Sequence, residues 1–110
     1  MSTAYQSMAP SRDELDALQG PAVVEFGANW CSHCKAAQPL IAAAFAAHPG
    51  VPHFKIEDGP GRQPGRSYRV KLWPTLVFLR DGKEIARLVR PTDSQAIREA
   101  LERALETPPS

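Results

Sequence analysis

The only two cysteines of this 110-residue chain are Cys31 and Cys34, separated by Ser32 and His33. A disulfide between them would constrain the unfolded chain by only about 2 kcal/mol, against about 4.7 kcal/mol for a hundred-residue loop. Such a bond stabilises a fold weakly. The spacing instead predicts a pair of thiols that is reversibly oxidised and reduced.

The composition limits the class of protein. Its 43% hydrophobic and 23% charged residues suit one domain with a modest core. The 13 basic and 12 acidic residues nearly balance, which argues against nucleic acid or a membrane surface as the main partner. No apolar run approaches the roughly 20 residues that cross a bilayer, and residues 1–10 lack a secretory signal. We therefore expect a cytoplasmic monomer without a cofactor.

Helical and strand patterns place the cysteines between a buried strand and a helix. Ser11 and Glu14 form a capping-box pattern, which predicts a short first helix. The apolar run of residues 22–28 predicts a buried strand. Residues 32–47 predict a helix that is bent near Pro39. The cysteines therefore open this second helix.

The following part of the chain predicts a strand, a loop and a hairpin. Residues 51–57 predict a short strand, and residues 58–71 predict a loop with one helical turn. The Asp81-Gly82 pair is typical of a tight turn, and it predicts antiparallel pairing between residues 75–79 and 84–89.

The end of the chain predicts one more helix. Thr92, together with Gln95, is expected to cap it, and residues 107–110 are expected to form a flexible tail. The domain is thus expected to span residues 11–106, with residues 1–10 as a separate N-terminal segment.

These motifs and spacings occur together in one known family. The residues concerned are Phe26, Ala28, Trp30-Cys31-Ser32-His33-Cys34-Lys35, Pro39, Trp73-Pro74-Thr75 and Gly82. On these residues the chain resembles the thioredoxin family from about residue 12 to about residue 106. The resemblance implies a thioredoxin-like α/β fold, with a central mixed β-sheet and helices on both faces. It also implies a cis peptide bond before Pro74 and a first strand within residues 3–9.

The positions of the two sulfurs indicate how they would react. A thiol at the first turn of a helix lies near the positive end of the helix dipole and near unpaired N–H groups, which favour its thiolate. Cys31 is therefore the predicted nucleophile, and the more shielded Cys34, one turn deeper, is the predicted resolving thiol. The predicted function is a thiol–disulfide oxidoreductase that uses a reversible Cys31–Cys34 disulfide, above all to reduce protein disulfides.

His33 favours an alternative direction of the same chemistry. A histidine there can carry positive charge or donate a hydrogen bond to the Cys31 sulfur, which would stabilise the dithiol and make the disulfide a stronger oxidant. Thioredoxins have Gly-Pro between the cysteines, so His33 resembles the histidine of disulfide isomerases and oxidases. Isomerase-like or oxidase-like activity therefore stays open, as does an exposed His33 without any effect on the thiols.

Glu25 is an acid within an otherwise apolar strand. By the resemblance, it takes the place of the family's buried acid behind the active site, and Lys55 takes the place of the lysine that partners it. We expect Glu25 to have a raised pKa and to accept the proton of Cys34 when that thiol attacks. Period-two alternation also allows Glu25 to be a solvent-facing acid.

A substrate-binding surface is expected around the cysteines. Trp30 is expected to pack beneath and shield them, and Trp73 to contact a substrate chain unless it belongs to the core. A cis bond at Pro74, followed by Thr75, would expose backbone for strand-like pairing with a substrate. Arg90 stands where the family usually has glycine, so docking should differ from that of ordinary thioredoxins.

Other positions bear less directly on the chemistry. Gly27 replaces a tryptophan that is frequent in the family, which removes bulk beside the site. His48 and His53 are expected to end a helix and begin a strand, with no role in the reaction.

The expected partners are protein or small-molecule disulfides and a recycling reductase, such as a thioredoxin reductase. Two functions of other classes remain open. A metal-binding module would use Cys31 and Cys34 as half of a zinc or iron–sulfur site, but no second pair of ligands follows at the required spacing. A non-catalytic thioredoxin-like adaptor would keep the fold with an incidental disulfide.

Overall fold

The computed structural model describes residues 4–7 and 9–106, in which four strands and four helices follow the predicted order. The strands are β1 (Pro21–Gly27), β2 (His53–Glu57), β3 (Thr75–Arg80) and β4 (Lys83–Val89). The helices are α1 (Arg12–Asp16), α2 (Ser32–Phe45), α3 (Gln63–Ser67) and α4 (Ser94–Leu105). The helical turn that the sequence predicts within residues 58–71 is α3.

The strands form one mixed sheet in the order β2-β1-β3-β4. β1 and β2 run parallel, whereas β3 is antiparallel to both β1 and β4. Parallel neighbours need a crossover connection, and α2 supplies it between β1 and β2. The expected thioredoxin-like fold, a mixed sheet with helices on both faces, is confirmed.

The core is divided between the two faces of the sheet because successive strand residues point to opposite sides. The face under α2 and α4 buries Val23, Ala37, Ile41, Leu76, Phe78, Ile97 and Leu101. The face that carries α1 and α3 buries Leu15, Val24, Phe26, Ile56, Tyr68, Val77 and Leu79. Each fully buried Leu, Ile or Phe contributes about 1.5–3 kcal/mol. Glu25 falls on the first of these faces, beneath α2.

The β3–β4 hairpin turns at Asp81 and Gly82, as the sequence predicts. Both residues have positive φ, 52° and 78°, which matches the twist of a two-residue turn. A side chain at Gly82 would also collide with the backbone of Asp16. The Asp81 carboxylate accepts a hydrogen bond from Gly20 N at 2.7 Å. The turn is therefore anchored against the segment that connects α1 to β1.

The N-terminal segment only partly resembles the expected first strand. Within residues 3–9, residues 3 and 8 lie outside the described residues. Gln6 forms an isolated parallel bridge with Ile56, its N–H donating to Lys55 O at 2.8 Å and its carbonyl accepting from Glu57 N at 2.9 Å. The described part of this segment thus lies along the edge of β2 as a bridge. The expected tail, residues 107–110, falls outside the described residues.

The helix α2 carries Pro39 in its interior. Proline has no N–H and its ring faces the carbonyl one turn earlier, so this helix loses a backbone hydrogen bond there. It has 14 residues and ends at Phe45, slightly before the predicted end. Within residues 4–7 and 9–106, no helix has both the length and the apolar character to cross a membrane.

The final helix, α4, is capped by Asp93, so the prediction of Thr92 as its cap is wrong. The Asp93 carboxylate accepts a hydrogen bond from Ala96 N at 2.8 Å. Asp93 has an extended backbone, with φ −147° and ψ 152°, as an N-cap requires. Threonine and aspartate are both good capping residues, and the prediction from the sequence placed the cap one residue too early.

Removing the capping side chain of Asp93 should destabilise the protein more than removing the side chain of Thr92. We expect Asp93→Ala to lower the free energy of unfolding by about 1 kcal/mol, because the Ala96 N–H loses its acceptor. The matched control, Thr92→Ala, should change it by less than about 0.5 kcal/mol. Urea denaturation followed by circular dichroism measures both values. A larger loss in Thr92→Ala than in Asp93→Ala would contradict the assignment.

Candidate active site

Cys31 occupies the N-cap of α2 and Cys34 lies in its first turn. The Cys31 Sγ accepts a hydrogen bond from Cys34 N at 3.3 Å. Both thiols are free, and Cys31 is 7% exposed whereas Cys34 is 1% exposed. The start of the helix thus gives the Cys31 sulfur a backbone N–H donor. The predicted difference in shielding between the two sulfurs is confirmed.

Cys34 remains a thiol at neutral pH. Burial, together with the nearby Cys31 side chain, raises the pKa of Cys34 to about 11. A buried thiol of this kind must give up a proton before it can attack a disulfide. The groups around it therefore bear on how fast it can react.

Glu25 is fully buried on β1, facing α2, and is surrounded by hydrogen-bond donors. Lys55 Nζ and Gln38 Nε2 each lie 2.9 Å from its Oε2, and His53 Nε2 lies 2.8 Å from its Oε1. The Tyr5 hydroxyl also donates to Oε2. The expected pairing of Glu25 with Lys55 is observed, and the interpretation of Glu25 as a solvent-facing acid is wrong.

The charge of Glu25 differs from the sequence-based expectation. Burial alone would raise the pKa of its carboxyl group, but the hydrogen bond from His53 and the charge of Lys55, with further hydrogen bonds from Gln38 and Tyr5, outweigh it. The pKa falls to about 2. The prediction of a raised pKa is therefore wrong, and Glu25 is a carboxylate in the resting protein.

Three residues around Glu25 were not predicted as part of the site: Tyr5, Gln38 and His53. Gln38 lies one helical turn after Cys34, on the same side of α2, which is a spacing that could have indicated it. His53 lies two residues before Lys55, so both side chains share one face of β2. His53 begins β2, as predicted, and its ring contacts Glu25. The expectation that it has no role in the reaction stays a prediction. No comparable spacing in the sequence indicated that Tyr5 belongs to the site.

Trp30 does not take its expected position, whereas the expected substrate contact of Trp73 stays a prediction. Trp30 is 73% exposed, so it does not pack beneath the cysteines. Tyr5 and Ala28 fill that space, in one cluster with both sulfurs, and Trp73 packs against the cluster. The Trp73 Nε1 donates to Asp58 Oδ2 at 2.8 Å. The rings of Trp30 and Trp73 meet edge to face, with centroids 5.5 Å apart.

The loop before β3 is arranged around Pro74. The Trp73–Pro74 peptide bond is cis, as expected. Thr75 is buried and its hydroxyl donates to Leu72 O at 2.6 Å. The expected pairing of substrate with the backbone here stays a prediction. Arg90 is exposed and its Nε donates to Trp73 O at 2.9 Å. Arg90 therefore adjoins this loop, where the sequence places it.

His33 is exposed on the first turn of α2. Within the described part of the chain, no hydrogen bond joins its ring to the Cys31 sulfur, whose donor is Cys34 N. The expected effect of His33 on the redox potential stays a prediction.

Comparison with known proteins shows to which family this site belongs. The sequence model described as thioredoxin matches residues 5–103. The thioredoxin of Chlamydia trachomatis serovar D is 33% identical over 78 residues, which cover 71% of this chain and 76% of that protein. The chain belongs to the thioredoxin family.

Solved structures of thioredoxins agree with this assignment. Thioredoxin 2 from Pseudomonas aeruginosa PAO1, in its reduced form, has 59% sequence identity and a TM-score of 0.84, covering 96% of this chain and 97% of that chain. Fasciola hepatica thioredoxin has 26% identity and a TM-score of 0.71, covering 90% of this chain and 99% of that chain. The similarity thus extends over nearly the whole thioredoxin fold.

As a thioredoxin, the protein is a thiol–disulfide oxidoreductase that reduces disulfides with its cysteine pair. Thioredoxins act on disulfide substrates and are returned to the dithiol by a reductase. The isomerase, adaptor and metal-binding alternatives are not favoured by these relationships. Among the residues that the structure describes, no three His, Cys, Asp or Glu side chains gather as they would to hold a metal ion.

The lowered pKa of Glu25 predicts a loss of stability in acid. The carboxylate is favoured in the folded protein, so its contribution is complete above the unfolded pKa of 4.5 and is lost as the pH falls toward 2. Between about pH 5 and about pH 3, we expect this to remove about 2 kcal/mol from the free energy of unfolding. Urea titrations at each pH measure the loss.

Glu25→Gln should show a shallower decline over this range, by about 2 kcal/mol, because the group no longer titrates. Glu84→Gln is the surface control, since it removes an ion pair to Arg87 at the edge of the sheet. Its curve should run parallel to that of the original protein. A Glu25→Gln curve that is also parallel would refute the lowered pKa.

Proposed function

We propose that Cys31 is the attacking nucleophile and Cys34 the resolving thiol in the reduction of accessible disulfides on other proteins. The observation that supports this most is the difference between the two sulfurs. Cys31 caps α2, accepts the Cys34 N–H and is the more exposed. Cys34 is shielded and keeps its proton at neutral pH.

The reaction has two displacement steps. The Cys31 thiolate attacks one sulfur of the partner disulfide, the partner S–S bond breaks, and the first partner thiolate takes a proton from water. Cys34 then loses its proton and attacks Cys31 Sγ, which forms the Cys31–Cys34 disulfide and releases the second partner thiolate. Two electrons have passed from the dithiol to the partner. A reductase returns them by the reverse exchange.

Exposed apolar side chains near the cysteines would receive the partner. Trp30 is 73% exposed, Leu72 48% and Val89 47%. Trp30 touches Trp73, which Leu72 precedes, and Val89 pairs with Thr75 directly after Pro74. We call these three exposed side chains, together with the half-buried Trp73 and the backbone at the buried Pro74, the docking surface. An extended segment beside the partner's disulfide would lie across it.

Arg90 would make docking selective. Its Nε occupies the Trp73 carbonyl, and its backbone N–H donates to Pro74 O at 2.9 Å. A partner N–H that pairs with the Trp73 carbonyl would share this oxygen with the guanidinium or displace it. The displaced group is then free to bind a carboxylate of the partner, so substrates with an acidic residue near the disulfide should be preferred.

We further propose that the protein acts as a monomer in the cytoplasm and is recycled by a reductase of the thioredoxin reductase type. A reducing compartment with a steady supply of electrons suits a dithiol that is consumed in every turnover. Small-molecule disulfides would reach Cys31 without the docking surface and would serve as weaker substrates.

Trapping distinguishes the roles of the two sulfurs. With insulin as a protein disulfide substrate, Cys34→Ser should accumulate a covalent complex through Cys31, because nothing resolves the mixed disulfide. Cys31→Ser should accumulate little, since its remaining thiol is shielded. Non-reducing electrophoresis and intact mass spectrometry measure the complexes, with the double serine variant as background. Equal trapping by both single variants would overturn the assignment.

The reduction potential tests the direction of the reaction. Equilibration with glutathione, followed by tryptophan fluorescence, should give a value near about −270 mV, as expected for a thioredoxin reductant. His33→Ala should make the value more negative if His33 stabilises the dithiol. A potential above roughly −200 mV would instead indicate an isomerase or an oxidase.

A further inference from the structure

A hydrogen bond connects the docking surface to the loop that follows β2. The indole Nε1 of Trp73 donates to Asp58 Oδ2 at 2.8 Å. Trp73 is half-buried, and its side chain packs against the cluster that contains the Cys31 and Cys34 sulfurs. The contact therefore holds an aromatic ring in one orientation directly beside the reactive pair.

Asp58 is itself held at two points. Its backbone N–H donates to Gly27 O at 2.8 Å, at the end of β1. Its carboxylate lies against the backbone of Gly65 in α3, where an added β-carbon would be 1.9 Å from Oδ1 and 2.5 Å from Cγ. Any larger residue at position 65 would push the carboxylate away. Glycine at this position thus leaves room for the group that receives the indole.

The Asp58 carboxylate has Trp73 as its side-chain partner. Within residues 4–7 and 9–106, no Lys, Arg or His nitrogen forms an ion pair with Asp58, and no other side chain donates to its oxygens. A hydrogen bond to a charged acceptor is stronger than one between neutral groups. The carboxylate is therefore well suited to hold the indole, and no second contact competes for it.

The orientation of the Trp73 ring also affects the exposed part of the docking surface. Trp30 meets this ring edge to face, with centroids 5.5 Å apart. A rotation of the Trp73 side chain would remove that support from Trp30 and would open the space beside the sulfurs. One hydrogen bond to Asp58 thus keeps two aromatic side chains in place where a partner arrives.

We propose that Asp58 is a positioning residue for protein substrates, which acts through Trp73. This rests on the proposed docking of an extended protein segment beside Cys31. Because the indole is already held, a protein that docks has one side chain fewer to order, and binding is tighter. Asp58 takes no part in the thiol exchange itself. It therefore raises the preference of the site for protein disulfides over small ones.

Four single variants test the contact. Asp58→Ala removes the acceptor, and Gly65→Ala displaces it, because the new methyl group would lie 1.9 Å from Oδ1. Asp58→Asn keeps an oxygen that can accept from the indole, so it should behave like the original protein. Gly50→Ala is the matched control for the added methyl group, since a β-carbon there meets nothing within 4 Å.

Single-turnover reduction of insulin and of dithiobis(nitrobenzoate) separates docking from thiol exchange. In Asp58→Ala and Gly65→Ala, the insulin concentration that gives half the maximal rate should rise about three- to tenfold, because binding must then order the indole. The maximal rate with insulin, and the rate constant with the small disulfide, should stay within about twofold. Asp58→Asn and Gly50→Ala should leave all three values within about twofold of the original.

The indole N–H of Trp73 reports on the hydrogen bond directly. Its resonance in the nitrogen–proton NMR spectrum is assigned as the one that Trp73→Phe removes. Exchange of this proton with water should be at least about tenfold faster in Asp58→Ala and Gly65→Ala than in the original protein. In Asp58→Asn it should stay slow. A general loss of structure would instead broaden or shift resonances throughout the spectrum, so this measurement distinguishes positioning from destabilisation.

Several results would overturn the positioning role. They are an unchanged half-maximal insulin concentration in Asp58→Ala, equal losses with insulin and with the small disulfide, slow exchange of the indole proton without the carboxylate, or a loss in Asp58→Asn as large as in Asp58→Ala. If Asp58→Ala does not fold, Gly65→Ala and its Gly50→Ala control decide the question.

A failure of the proposed function would look different. If Cys31→Ser reduced insulin as fast as the original protein, the roles of the two sulfurs would be wrong. The exchange rate of the Trp73 indole proton would still show whether Asp58 holds the ring, because that rate does not depend on the cysteines.

Discussion

A carboxylate removed from water costs several kcal/mol unless donors replace the water, and in this fold that constraint falls on Glu25. Its donors come from three separate parts of the chain: Tyr5 from the N-terminal segment, Gln38 from α2, and His53 and Lys55 from β2. Each of these parts must pack against β1 before all the hydrogen bonds to the Glu25 carboxylate can form. The same helix that supplies Gln38 begins at the two sulfurs. One buried charge therefore connects the edge of the sheet, the active-site helix and the start of the chain.

Burial also gives the two chemically identical side chains, Cys31 and Cys34, different surroundings. Cys31 lies where α2 begins and receives a backbone N–H, whereas one turn later Cys34 has lost nearly all contact with solvent. In the proposed reaction the first sulfur therefore meets the partner, and the second attacks the first. Burial, together with the neighbouring Cys31 side chain, raises the pKa of Cys34 and so keeps this thiol protonated at neutral pH. In the proposed reaction the two sulfurs therefore react one after the other.

Much of this arrangement could be predicted because its signals are local. The turn at Asp81-Gly82, the strand that contains Glu25 and the helix that starts at the cysteines all follow from short patterns. Apart from the cap of α4, which was placed one residue too early, the errors concern features that depend on distant partners. Tyr5 belongs to the site only because Gly27, on another element, has no side chain, and Trp30 is exposed because Tyr5 occupies the space beneath. The sign of the Glu25 pKa shift likewise depends on how many donors surround it, which spacing along the chain does not reveal.

The attachment of Tyr5 has a practical consequence for work with this protein. The segment that bridges β2 and contacts Asn29 also places the Tyr5 hydroxyl against the buried carboxylate of Glu25. Purification tags and fusion partners are commonly joined at this end because it lies outside the main sheet. Here such an extension would pull on the active site itself. Preparations that differ only in their leader residues would then differ in redox behaviour.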